Sequence, residues 1–535
     1  MLPYGKMSAT LGTHVLRDLD VSALAEAFQP ATEGGRTELI TRLSTPVDPI
    51  EISKRQATLR TLKATLANPI KRETVIAARN TLRDTETDVR SMAGLAADSR
   101  HAEYYNQILW APKSLLGRLN EYGWFVEAMV FFRTLFLPGL SVILPIFVFV
   151  APLLVYAFVI KEPLSIDKYF GMLSTSLKKA MPSVLGKPRF AGKGGPLEAG
   201  EQILHIAASL AVFVASIWNQ ISSAASMRGV AADMRQRAAA VKRMSAAVTE
   251  YCRVVGTSVP CAAWIGTDMD VFGRAWNTPS RIQELLGVAA AIDADISLAL
   301  QRRTCFTEFG DVSGGVVAER LWHPGTGGKR IYNSLTLGSR KKAHVLLTGP
   351  NRGGKSTLLK SLGAAVLMSH TVGISFAKRL RVPVFADIIT ALAPTDTIGK
   401  MSLFEAEIEF AKDVKARLGS GSGPMFLMMD EIFHGTNAHD GVEASQVFLD
   451  DLYGDGASGA VFSVVSTHYM NLPERYGKEH TQNLCMDAKQ DPADPDRLIY
   501  SYRLCEGVNR FSSVREILRE RGLLGEKTSA SASKA

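Results

Sequence analysis

Two textures alternate along the chain. Over residues 14–125 the apolar positions recur at helical spacing. In residues 51–62, for example, Ile52, Leu59 and Leu62 fall on one stripe with charges elsewhere. The pattern breaks at Thr134, where 27 consecutive residues (134–160) carry no formal charge. A helix that crosses a bilayer needs about 20 such residues, so the pattern predicts a span over 134–160. Pro138, Pro145 and Pro152 are kinks of a kind that membrane helices tolerate. A second uncharged stretch, 26 residues from 202 to 227, is interrupted by His205, Asn219 and Gln220. Between the two stretches, Lys187-Pro188 and Gly192-Lys193-Gly194-Gly195-Pro196 break any periodicity and predict a polar loop.

Residues 228–310 return to charged, alanine-rich helix. Beyond His323-Pro324, short apolar runs alternate with helical ones, the signature of an α/β domain. The last residues, 521–535, read as a disordered tail. A single span would strand the flanking helical segments on opposite sides of a membrane, so either both stretches cross or neither does. With both crossing, the flanking helical segments and the α/β domain share the cytoplasmic side. The 161–201 loop lies outside, with seven Lys/Arg against four Asp/Glu, contrary to the positive-inside tendency.

Composition adds exclusions rather than identities. The chain has 535 residues, 46% hydrophobic and 21% charged, which excludes a wholly disordered or collagen-like protein. The formal charge of +9 is mild for this length and by itself implies neither nucleic acid nor anionic lipid. Five scattered cysteines without a C-x-x-C pair predict reduced thiols.

The chemistry concentrates in the last third. Residues 344–348 (HVLLT) form an apolar strand that feeds Gly349-Pro350-Asn351-Arg352-Gly353-Gly354-Lys355-Ser356-Thr357, after which a helix begins. In that strand–loop–helix setting the glycines let backbone N–H groups curl around phosphates, and the helix presents its positive dipole end. Lys355 is placed for the β and γ phosphates of ATP and Ser356 for Mg²⁺. A second apolar strand, residues 425–429, ends in Asp430-Glu431. The pair suits a carboxylate that holds Mg²⁺ through water and one that orients the attacking water. A third strand, 461–466, ends at Thr467-His468, where an imidazole can sense the γ-phosphate.

These motifs together resemble the MutS ATPase domain: the 349–357 loop, Asp430 to Gly441 (DEIFHGTNAHDG) and Ser466-Thr467-His468-Tyr469. The resemblance implies an α/β P-loop NTPase fold, ATP and Mg²⁺ as cofactors, and a homodimer with composite ATP sites. By it, Gly349, Pro350, Asn351, Gly353, Gly354, Lys355, Ser356 and Thr357 cradle the nucleotide, and Ser356 and Asp430 hold the metal. Glu431, His468 and Lys355 carry the hydrolysis. Met401-Ser402-Leu403-Phe404-Glu405-Ala406-Glu407 resembles the segment whose serine, here Ser402, reaches the nucleotide of the other subunit. Tyr502 stands where a ring stacks on adenine. Arg352 replaces the family's usual Met, and Phe511-Ser512-Ser513 replaces its serine–tyrosine–glycine run.

Upstream, Gly34-Gly35-Arg36, Leu39, Leu43, Pro46, Ile52, Arg55-Gln56 and Leu59 resemble the opening of the MutS helical lever. The expected layout is an all-α lever in two halves (1–125 and 228–320) interrupted by a transmembrane hairpin (126–227, with spans 134–160 and 202–227). An ATPase domain over 321–520 and the tail follow. About thirty residues precede the lever and hold no Phe-x-Glu wedge, so mismatch discrimination is not expected; any DNA contact would be non-specific. Three functions fit: a membrane-associated MutS-type ATPase with a family-implied DNA role, a membrane-anchored switch or scaffold without DNA, and an ABC-type transport ATPase. The absence of a leucine–serine–glycine–glycine signature and the 435–441 segment favour the first over the last.

Overall fold

The computed structural model describes residues 8–523, apart from 95–98, 113, 161–164, 166–167, 170–171, 174–195, 327–329, 339–340, 393–401, 422, 455–459 and 478–480. Most of the expected polar loop, most of the expected tail and Met401 therefore lie outside the described residues. The chain forms two compact units: Met1–Arg79 with Ala290–Ala535, and Asn80–Ala289.

The first unit holds every described strand. Seven form one sheet in the order β1 (Thr10–Leu11), β8 (Asp387–Ala391), β9 (Met425–Met429), β10 (Val461–Ser466), β5 (His344–Thr348), β11 (Thr481–Asp491) and β12 (Asp494–Glu506). All neighbours pair in parallel except β11 with β12. The central strands are mostly apolar and buried on both faces, as a helix-covered parallel sheet requires. The other five, β4 (Asn333–Leu337), β3 (Val316–Leu321), β7 (Arg379–Pro383), β2 (Cys305–Gly310) and β6 (Ile374–Ser375), make a mixed sheet.

Helices of the N-terminal segment belong to this unit: α1 (Val15–Asp18), α2 (Val21–Glu26), α3 (Glu33–Ser44), α4 (Pro49–Ala67) and the start of α5 (Pro69–Met92). The sequence reading grouped them with all of 1–125 as a lever. In the structure β1 instead extends the seven-stranded sheet, and α4 is bonded to the mixed sheet and to the end of the helix Lys355–Thr371. Gln56 donates to the carbonyls of Thr307 (2.9 Å) and Gly373 (2.7 Å), and Arg55 donates to that of Thr371 (2.5 Å). A two-residue edge strand has too little alternation to be seen in a sequence. The domain also starts before 321, because β2 and β3 carry the mixed sheet. Asp293 ties these helices together: it is fully buried, accepts from the Ala31 and Thr32 backbone and the Thr32 hydroxyl, and pairs with Arg79 at 2.7 Å.

The second unit is helical: the rest of α5, α6 (Ser99–Asn106), α7 (Gly123–Phe131), α8 (Leu137–Val155), α9 (Pro196–Val255), α10 (Asp268–Asn277) and the start of α11 (Pro279–Leu300). Its core includes Tyr105, whose ring meets Phe272 at 5.2 Å and Trp276 at 5.7 Å. The two uncharged stretches are helical. The first is continuous from α7 through α8, with π-helical turns at Phe132–Phe136 and Tyr156–Ile160. The earlier turn lies just before Pro138, which cannot donate a helical hydrogen bond. The second is the front part of α9, a single 60-residue helix that no proline interrupts between Pro196 and Pro260. Among the described residues one helix, Gly123–Ile143, is long and apolar enough to cross a membrane. The expected pair of spans is thus not supported: the described residues offer one such helix, and part of the second stretch lies outside the residues whose side chains are described.

Remaining helices lie in the first unit: α12 (Lys355–Thr371), α13 (Leu403–Ser420), α14 (Ala438–Tyr453), α15 (Asn471–Tyr476) and α16 (Val514–Glu520).

Candidate nucleotide site

Three neighbouring parallel strands deliver the site. Ser466 of β10 is in register with Leu347 of β5, and Val465 with Met429 of β9, so all three chains leave the sheet at one level. The P-loop follows β5, Asp430-Glu431 follows β9, and Thr467-His468 follows β10.

The P-loop takes its shape from two glycines. Gly349 has φ +143° and a Cβ there would sit 3.2 Å from Met486; Gly354 has φ +96° with Tyr502 at 3.3 Å. Only glycine adopts both the angle and the approach without strain. Arg352, at φ +66°, adopts a left-handed conformation and pairs with Glu520 of α16. Helix α12 then starts at Lys355, its N-terminus facing the loop. A cavity of about 480 Å³ opens here, lined by residues 350–358 together with His323, Asn333, Glu431 and Tyr502.

Lys355 is buried at 4% exposure, and its ammonium donates to the carbonyl of Gly349 at 2.9 Å. Burial pulls its pKa down, opposed by the Glu431 and Asp430 carboxylates. His468 Nε2 lies 2.7 Å from Glu431 Oε1, and the Lys355 ammonium is 4.0 Å from the same oxygen. Because the carboxylate can only accept, Nε2 carries the shared proton. That hydrogen bond, reinforced by the charges around it, holds Glu431 below the usual carboxylate range despite its half-burial.

Asp430 accepts from the Ser466 hydroxyl, and that hydroxyl in turn accepts from the Glu431 N–H at 3.0 Å. Ser356, Asp430 and Glu431 line a second cavity of about 250 Å³. A hydroxyl and a carboxylate are hard oxygen donors of the kind Mg²⁺ takes, with water and phosphate completing its shell. Among the described residues no group of three or more His, Cys, Asp or Glu forms a protein-only metal cage. The residues present therefore suit a metal that arrives with its nucleotide.

The turn after β9 is strained. Glu431 has φ +55° and Phe433 φ +52°, each costing roughly 1–3 kcal/mol. Tyr469 Oη donates to the Phe433 carbonyl at 3.0 Å, and His434 Nδ1 lies 2.7 Å from the Glu431 carbonyl.

Tyr502 is 40% exposed at the mouth of the larger cavity, with φ +56°. Asn333 fixes that bulge: its amide donates to the Tyr502 carbonyl at 3.1 Å and accepts from the Leu504 N–H at 2.8 Å. Ser402 lies apart from these groups, capping α13 in a reciprocal pair with Glu405 (2.8 and 3.3 Å). The structure thus gathers Gly349, Pro350, Asn351, Gly353, Gly354, Lys355, Ser356, Thr357, Asp430, Glu431, His468 and Tyr502 in one region, and not Ser402.

Sequence reasoning did not assign roles to Ser466, Asn333 or Asn509. Asn509 donates to the Met486 and Ala488 carbonyls, and its N–H to the Thr348 hydroxyl. Ser466, at the strand end beside Thr467-His468, and Asn333, upstream of the P-loop, both stood among the residues that resemble the family, but no contact was read for either.

Residues 345–519 match MutS domain V. The MutS match covers the central strands, the P-loop and both carboxylates, and ends within α16. Relatives are similar over about a third of the chain: an endonuclease MutS2 of Streptococcus suis strain 05ZYH33 is 29% identical over 199 residues, 36% of this chain and 24% of that protein. A DNA mismatch repair protein MutS of Fervidobacterium nodosum is 29% identical over 195 residues, 36% of this chain and 22% of that protein. One from Chlamydia trachomatis serovar D is 27% identical over 188 residues, 35% and 22%. The match spans about a quarter of the length of these relatives.

The Glu431–His468 bond predicts a titration. His468→Ala removes the donor and leaves desolvation, which favours the neutral acid, so Glu431 takes up its proton at higher pH than in the wild type. A carboxyl-carbon NMR titration reads this directly. An unchanged or lower midpoint contradicts the assigned bond.

Proposed function

We propose that this protein is a Mg²⁺-dependent ATPase of the MutS type. The observation that carries this reading is the convergence of Lys355, Ser356, Asp430, Glu431 and His468 at the ends of three registered strands. ATP binds with its phosphates on the 349–357 loop and its base toward Tyr502. Lys355 neutralises phosphate charge, and Ser356 and Asp430 would hold Mg²⁺, which when bound would supply Lewis-acid stabilisation of the developing charge. Glu431 orients and deprotonates the attacking water, and His468 holds that carboxylate ionised. The active form is a homodimer in which Ser402 reaches the nucleotide of the partner subunit, and the nucleotide state moves the helical segments. The DNA and mismatch-repair role printed for the relatives extends to this chain as non-specific contact through Lys and Arg.

The protein is also membrane-associated, with the ATPase on the cytoplasmic side. In favour stands the apolar surface that α7 to α9 leave open: Ile143, Phe147, Phe158, Val159 and Trp218 are 64%, 58%, 75%, 74% and 71% exposed. Large apolar side chains exposed together on neighbouring helices are uncommon on a soluble monomer. The same feature favours a second reading, an ATP-driven membrane switch without DNA binding, which salt-dependent DNA retention separates from the first.

Two measurements test the proposal. Lys355→Ala should weaken ATP binding by about 10- to 100-fold, the worth of a charge-assisted hydrogen bond, with hydrolysis falling in step; a variant that binds and hydrolyses like the wild type contradicts the site. In carbonate-washed membranes the intact protein should stay in the pellet and be released by detergent. Release of a monodisperse soluble protein by carbonate contradicts the membrane reading.

A further inference from the structure

Helix α13 and the strained turn after β9 meet at a single carboxylate. Glu407 Oε1 accepts from the His434 N–H at 3.3 Å, and Oε2 from the Gly435 N–H at 3.2 Å. The same Oε1 lies 2.9 Å from His434 Nδ1, which also faces the Glu431 carbonyl at 2.7 Å. Both neighbours of Nδ1 are acceptors, so Nδ1 bears a proton and shares it between them. Gly435 makes the approach possible: a Cβ there would stand 2.8 Å from the Phe404 nitrogen, 2.9 Å from the Leu403 side chain and 3.1 Å from Glu407 Oε2. Phe404 and Phe433 meet edge to face with centroids 6.3 Å apart, closing the apolar side of the contact.

The turn needs such support. Glu431 and Phe433 both sit at positive φ, and neither is glycine. Strain of this kind persists only where the surroundings over-determine it. Ser466 holds the turn at its start through the Glu431 N–H, and Tyr469 holds its middle through the Phe433 carbonyl. Glu407 holds its far end, and alone of the three it belongs to α13, the helix that Ser402 caps.

We infer that Glu407 is a positioning residue for Glu431: it clamps the 431–435 turn to α13, fixes the direction of the water-orienting carboxylate, and passes any displacement of α13 to it. The inference rests on the ATPase reading for its kinetic consequence but not for the clamp itself. Glu407 does not line the larger cavity; it lines the smaller one beside Ser356, Asp430 and Glu431, where its bonds go to the His434 and Gly435 amides, so its loss should act on the turn more than on ATP binding. A movement of Ser402 toward a ligand would shift the first turn of α13, and Glu407 lies five residues further along the same helix.

The test uses the full chain with Glu407→Ala, Glu407→Gln, Glu431→Gln and the double variant Glu407→Ala/Glu431→Gln. In the nucleotide-free protein, Glu407→Ala should speed hydrogen exchange at the His434 and Gly435 amides by about tenfold or more, with the α12 amides unchanged. For Mg-ATP hydrolysis, Glu407→Ala should lower kcat about tenfold or more while KM stays within about twofold, and Glu407→Gln, which keeps one acceptor oxygen, should fall between. In the Glu431→Gln background, adding Glu407→Ala should change the residual rate by less than about twofold, because the two act through one group. Unchanged exchange at the two amides, or a kinetic loss that multiplies fully in the double variant, overturns the inference. If the wild type does not hydrolyse ATP, the ATPase reading fails while the exchange measurement still decides whether Glu407 holds the turn.

Discussion

The site depends on strand register. β5, β9 and β10 are adjacent, parallel and aligned so that each ends where its neighbours end. A slip of one residue in any of them would turn its exit side chain to the other face of the sheet. The P-loop lysine, the carboxylate pair and the histidine would then no longer share a pocket. Residues that look like packing are therefore functional at one remove: Met425–Met429 and Val461–Ser466 are buried strands whose length fixes where Asp430 and His468 emerge.

Around that frame, polar groups form one connected chain. Ser466 links Asp430 to the Glu431 backbone, His468 links Glu431 to the neighbourhood of Lys355, and Lys355 closes back on Gly349. In a partly buried setting each bond strengthens its neighbours, and loss of one leaves the next unsatisfied. The strained turn at Glu431 and Phe433 is stable only inside this arrangement.

Much of the site could be read from sequence because its motifs are local. Gly349 to Thr357 is one continuous loop, and Asp430-Glu431 and Thr467-His468 each sit at the end of an obvious apolar run. What escaped depends on contacts distant in sequence. Asn333 bonds to Tyr502 and Leu504, and Glu407 to His434 and Gly435; no periodicity marks either. The edge strand Thr10–Leu11 is too short to alternate, so the N-terminal helices read as a lever although they belong to the unit that holds the two sheets. In the second unit the uncharged stretches were legible as helix, but hydropathy alone did not separate a helix end from the interior of the 60-residue α9.

The central claim is that Glu431, placed by β9 and held by His468, activates water against ATP bound on the 349–357 loop. Single-turnover hydrolysis of Mg-ATP by Glu431→Gln tests it most directly. The substitution keeps the size and the nucleotide site and removes the charge. The variant should bind ATP as tightly as the wild type and hold it unhydrolysed through many wild-type turnover times. Cleavage at the wild-type rate would show that another group performs the step.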